Sequence, residues 1–66
     1  MAKLIIKNEE ISLANIERYD IDNYYFRKFD DIWFCVSSAY RNKFGMIKPV
    51  MLTEDKQISE NIKFAV

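Results

Sequence analysis

Residues 24–38 read YYFRKFDDIWFCVSS, and the reading of this stretch decides the fold. Two runs of β-favouring residues flank Asp30 and Asp31, the pattern of two strands joined by a tight turn. The stretch holds the only Trp, the only Cys and three of the five Phe residues, so the rest of the chain is expected to pack against it. Side chains alternate along a strand. In the first arm Tyr24, Phe26 and Lys28 therefore share one face, and Tyr25, Arg27 and Phe29 the other. In the second arm Ile32, Phe34 and Val36 form a purely apolar face, opposite Trp33, Cys35 and Ser37. On that criterion Ile32, Phe34 and Val36 are the expected core, each contributing about 1.5–3 kcal/mol on burial. Phe34→Ala is then expected to cost about 3–5 kcal/mol.

Upstream, residues 3–7 (KLIIK) read as a short strand with β-branched residues at its centre. Asn8, Glu9 and Glu10 form a polar break. Residues 11–16 (ISLANI) fit two patterns. Ile11 and Leu13 alternate as in a strand, while Leu13, Ile16 and Tyr19 could line a helix capped by Ser12. The strand is favoured, because a three-residue break suits a hairpin. Residues 17–23 (ERYDIDN) are polar and read as a connection.

Downstream, residues 38–44 read as a mobile polar loop ending at Gly45, the only glycine. Residues 46–52 (MIKPVML) suit an edge strand, since Pro49 removes one ladder donor. Thr53 could cap a helix carrying Glu54 and Asp55 in its first turn, with Ile58 and Ile62 facing the core. Alternatively residues 54–56 are a turn. The alternation in residues 61–66 (NIKFAV) favours a closing strand with Ile62, Phe64 and Val66 on one face. The sum is a mainly β chain, a small antiparallel sheet or partly open barrel of about four to six strands. A short helix would make it α+β.

Composition bounds what such a chain can do. Its 66 residues are expected to form one domain over residues 1–66, with a thin margin, because a chain this short buries only about 60% of its unfolded surface. Half the residues are apolar and 15% aromatic, which argues for a folded domain with aromatic area to spare for a partner. Ten basic residues cancel ten acidic ones, so no global field draws the chain to nucleic acid. One Cys makes no intrachain disulfide, and the absence of His removes the usual general base and commonest neutral metal ligand. No apolar run approaches the roughly 20 residues of a membrane span. The N-terminus does not read as a signal peptide. A cytoplasmic location without a membrane partner is expected, for a chain that reads as a complete small gene product. Its Ile, Lys and Asn bias is common in AT-rich bacterial and viral genomes.

No cofactor, metal or catalytic residue is expected. Cys35 has no His to activate it and reads as a small packed residue. The pairs Glu9-Glu10, Asp30-Asp31 and Glu54-Asp55 fall where turns are expected and read as solvated charge. The notable constellation is the interleaving of Tyr24, Tyr25, Arg27, Trp33, Tyr40, Arg41 and Lys43, with Lys28 among them. Tyr, Trp and Arg are the residue types enriched at interface hot spots. The same chemistry serves stacking on single-stranded nucleic acid, but the neutral net charge favours a protein partner. The leading expectation is a non-enzymatic protein-binding module, an inhibitor or regulator of the kind phages encode, that occupies a surface of a larger protein. The alternatives are a small nucleic-acid-binding barrel and a homodimer formed through edge-strand pairing near Pro49.

Overall fold

The computed structural model describes the whole chain, Met1–Val66. It is built entirely of strands, without a helix: β1 (Lys3–Ile6), β2 (Glu9–Ser12), β3 (Arg18–Ile21), β4 (Tyr24–Phe29), β5 (Ile32–Val36), β6 (Val50–Leu52), β7 (Lys56–Ser59) and β8 (Ile62–Ala65). They form two open four-stranded sheets, ordered β2-β1-β8-β7 and β3-β4-β5-β6. All the neighbours whose register is defined run antiparallel. The strands number eight rather than the four to six expected, and neither sheet closes into a barrel. The chain divides into two compact units, one made of Met1–Ile16 and Leu52–Val66, the other of Glu17–Met51.

In the first unit the two ends of the chain meet. β1 pairs with β8 through Leu4↔Phe64 and Ile6↔Ile62, which sets four apolar side chains on one face. All four are buried. The β1–β2 turn puts Lys7 and Asn8 at φ 50° and 68°. Two positive φ values in a two-residue turn match the twist of the strands they join. Ser12 accepts a hydrogen bond from the Ala14 N–H at 3.2 Å, and Asn15 has φ 65°. The hydroxyl that could have capped a helix thus caps a turn, and β2 ends at Ser12. The helix considered for residues 53–60 is also absent. β7 occupies its place, with a bulge between Gln57 and Ser59. Asp55 accepts a hydrogen bond at 2.9 Å from the Val66 N–H and so ties down the end of the chain.

The second unit contains the β4–β5 hairpin expected from the sequence. Its turn residues, Asp30 and Asp31, have φ 50° and 62°, and Phe29 stands opposite Ile32. Asp tolerates this left-handed conformation better than most residues. The polar residues 17–23 are not a plain connection, for four of them form β3, where Tyr19 and Ile21 alternate with Arg18 and Asp20. Tyr19 pairs with Phe26 and Ile21 with Tyr24. The strand expected over residues 46–52 shortens to Val50–Leu52, starting just after Pro49. Ile47 instead forms an isolated bridge with Arg41.

The largest correction concerns β5. Its buried face is Trp33 (4% exposed) and Cys35 (0%), continued by Ser37 (2%). Ile32, Phe34 and Val36 lie on the opposite face and are only half-buried. The cross-strand pair Phe26↔Cys35 explains the choice, since Phe26 is fully buried and lies on the same face. Period-two alternation shows which residues share a face. It does not show which face is covered when both are apolar.

Candidate functional site

The inversion of β5 leaves an apolar sheet face turned outward. Directly opposed residues of an antiparallel pair lie on the same side of the sheet. The pairs Tyr25↔Val36, Arg27↔Phe34 and Phe29↔Ile32 therefore line up as one surface across β4 and β5. Phe29 is 66% exposed and Tyr25 is also exposed. The Phe29 and Phe34 rings meet edge-to-face, with centroids 6.4 Å apart. Arg27, Phe29, Phe34, Val36 and Pro49 line a shallow cleft of about 270 Å³ on this surface.

Arg27 stands in this apolar face, and it is held in place. Arg27 donates to Asp20 Oδ1 at 2.5 Å, to Asp20 Oδ2 at 3.4 Å and to the Phe26 carbonyl at 2.9 Å. Its guanidinium carbon sits 6.0 Å from the Tyr25 ring centroid. The hydrogen bond from Arg27 holds the Asp20 carboxyl below its ordinary value of 3.8, against a smaller opposing effect of desolvation. A carboxyl with a depressed folded-state pKa stabilises the fold above its unfolded value, and that contribution is lost as pH falls through the folded value. The stability difference between wild type and Asp20→Asn is therefore expected to stay constant at neutral pH and to shrink below pH 3.8. Urea melts at several pH values check this. A difference unchanged down to pH about 2 would dismiss the Asp20 contribution.

The residues singled out in the sequence separate into three places. Tyr25 and Arg27 lie on the outward face, and Lys28 on the other side of β4. Tyr24 and Trp33 also belong to the opposite face, where Trp33 is buried and out of reach of a partner. Tyr40, Arg41 and Lys43 lie beyond β5 on an ordered hairpin-like loop. Its backbone bonds run from Lys48 N to the Tyr40 carbonyl (2.8 Å), Asn42 N to Met46 O (2.9 Å) and Gly45 N to Asn42 O (3.0 Å). Asn42 Oδ1 accepts from the N–H groups of Phe44 (2.9 Å) and Met46 (3.1 Å), and Gly45 takes φ 79°. Tyr40 is half-buried, and desolvation raises its phenol pKa above 10.0, with smaller contributions from Cys35 and Tyr24.

Sequence reasoning placed Phe34 and Val36 in the core rather than on the surface, and did not single out Phe29; Pro49 it did place at a sheet edge open to pairing. The available signal was the apolar character of both faces of residues 32–36, more than one buried face requires. Comparisons with protein-family models, with curated proteins and with solved structures give no match. No helix is long and apolar enough to cross a membrane.

Proposed function

We propose that this chain is a non-enzymatic binding module that docks on a larger protein through the outward face of β4 and β5, as an inhibitor or regulator acting in the cytoplasm. One observation carries the reading. Tyr25, Phe29, Ile32, Phe34 and Val36 lie contiguously on one sheet face, with Phe29 projecting into solvent. Contiguous exposed apolar surface on a small domain marks an interaction site. Tyr and Arg at its centre are residue types that anchor interfaces. Arg27 is pre-oriented by Asp20 and the Phe26 carbonyl, so docking would cost little further ordering of that side chain. The same ion pair weakens the nucleic-acid reading, because Asp20 sits beside Arg27 and offsets its charge.

The test is a capture experiment from lysate of the cells that encode the chain, with and without nuclease, using wild type and Phe29→Asp. Phe29 is exposed, so the substitution is expected to cost only the edge-to-face contact with Phe34, about 0.5–1.5 kcal/mol, and a urea melt confirms that the variant is folded. One dominant protein captured by wild type and lost with Phe29→Asp is the expected outcome. Undiminished capture by Phe29→Asp would move the docking site elsewhere, and dependence of capture on intact nucleic acid would favour the alternative.

A further inference from the structure

The chain is neutral overall, but its charge is segregated. No Asp or Glu occurs from Ile32 to Thr53, while Arg41, Lys43 and Lys48 all fall in that span. The two side-chain ion pairs of the protein, Lys3–Glu10 and Arg27–Asp20, involve none of the three. Arg41 donates to the Gly45 carbonyl at 2.7 Å, and Lys43 stands 5.2 Å from the Phe44 ring centroid. Both contacts fix a cation without neutralising it.

Two of these cations, Arg41 and Lys48, border a second cleft. It measures about 540 Å³ and is walled by Phe34, Tyr40, Val50 and Met51, with Arg41 and Lys48 at its rim. Pro49 and Phe34 also line the cleft on the β4–β5 face, so the two surfaces are continuous. β6 is a margin strand of its sheet, a place where extended segments dock in many peptide-binding domains.

We propose that the cleft takes an extended acidic segment of the protein partner, its apolar side chains entering between Phe34, Tyr40 and Met51 and its carboxylates meeting Arg41 and Lys48. This rests on the docking function proposed above and names the chemistry of its partner. The occupant follows from charge complementarity, since local like-signed charge in a concave site attracts the opposite sign. An apolar-walled cleft selects a segment that carries both carboxylates and apolar side chains. Single-stranded nucleic acid is the competing occupant, since Phe34, Tyr40 and Phe44 offer rings to stack on, but the zero net charge of the chain supplies little of the long-range attraction it needs. A bilayer surface would leave the concave cleft unfilled.

The probe is a fluorescein-labelled random copolymer of glutamate and tyrosine, followed by anisotropy. Polylysine, single-stranded oligothymidylate and phosphatidylserine-containing vesicles serve as the other arms. Wild type is expected to bind the copolymer, with affinity falling as salt rises. The double substitution Arg41→Glu, Lys48→Glu is expected to weaken binding by about tenfold or more, and a melt checks that the fold survives loss of the exposed Arg41–Gly45 hydrogen bond, with Lys48→Glu alone, which breaks no such bond, expected to weaken binding in the same direction. The proposal is overturned if wild type fails to bind the copolymer at low salt, if the double variant binds equally well, or if oligothymidylate or the vesicles bind more tightly. Including the double variant in the lysate capture separates the two readings. A partner lost with Phe29→Asp but kept by Arg41→Glu, Lys48→Glu would preserve the docking face and reject the acidic segment. Copolymer binding with a partner unaffected by Phe29→Asp would reject the docking face while keeping a cleft for acidic peptide.

Discussion

Phe64→Ala is expected to leave the protein unfolded, or nearly so, at room temperature. Phe64 is 1% exposed, on a strand with neighbours on both sides, opposite Leu4 on β1 and Lys56 on β7. Removing a buried Phe ring costs about 3–5 kcal/mol, because the transfer energy is lost and a cavity is left behind. A 66-residue chain has about 3–10 kcal/mol of total stability to lose. Val66, two residues on but 60% exposed, serves as the control, with Val66→Ala expected within about 0.5 kcal/mol of wild type. Urea denaturation followed by circular dichroism reads both. A loss below about 1 kcal/mol for Phe64→Ala would remove that ring from the core.

The second large effect separates the two faces of β5. Trp33→Ala is expected to cost about 3–5 kcal/mol, as for a large buried side chain. Phe34→Ala, half-buried on the outward face, is expected to cost about 1 kcal/mol. The sequence pattern alone ranks the pair the other way, placing Phe34 in the core. Parallel denaturation of the two variants decides the matter. If Phe34→Ala proves the more damaging, the outward face is covered in the native protein and cannot serve as a free docking surface.

The β4–β5 hairpin was legible because alternating β-formers flank two Asp residues that accept the positive φ of a tight turn. The strand at residues 62–65 was legible for its alternation. The burial of β5 was not legible, since Ile32, Phe34 and Val36 make a cleaner apolar set than Trp33, Cys35 and Ser37. Charge gave no guidance either, because Arg27 and Lys28 mark both faces of β4 with a cation. β3 was hidden by its composition. Asp20 and Asp22 suggested a loop, and the alternation of Tyr19 and Ile21 with polar neighbours was outweighed. The possible helices failed for a local reason. Ser12 and Asp55, the groups that would have favoured helix starts, spend their oxygens on Ala14 and Val66. Of the candidate surface, Tyr25, Arg27 and the cationic loop were visible in the sequence. The apolar residues between them became visible only with the face assignment.

The pairing of β1 with β8 also sets an order of events during synthesis. A ribosome delivers β1 well before β8, so Leu4 and Ile6 find their neighbours Phe64 and Ile62 only when residues 62–65 emerge. Until then β1 has only β2 beside it, and a two-stranded hairpin is marginal in water. In Glu17–Met51 each of β3, β4 and β5 pairs with a strand next to it in the chain, so its contacts can form as it is made. A truncation that removes β8 would therefore leave Glu17–Met51 capable of pairing and β1 without a cover, an apolar strand free to aggregate.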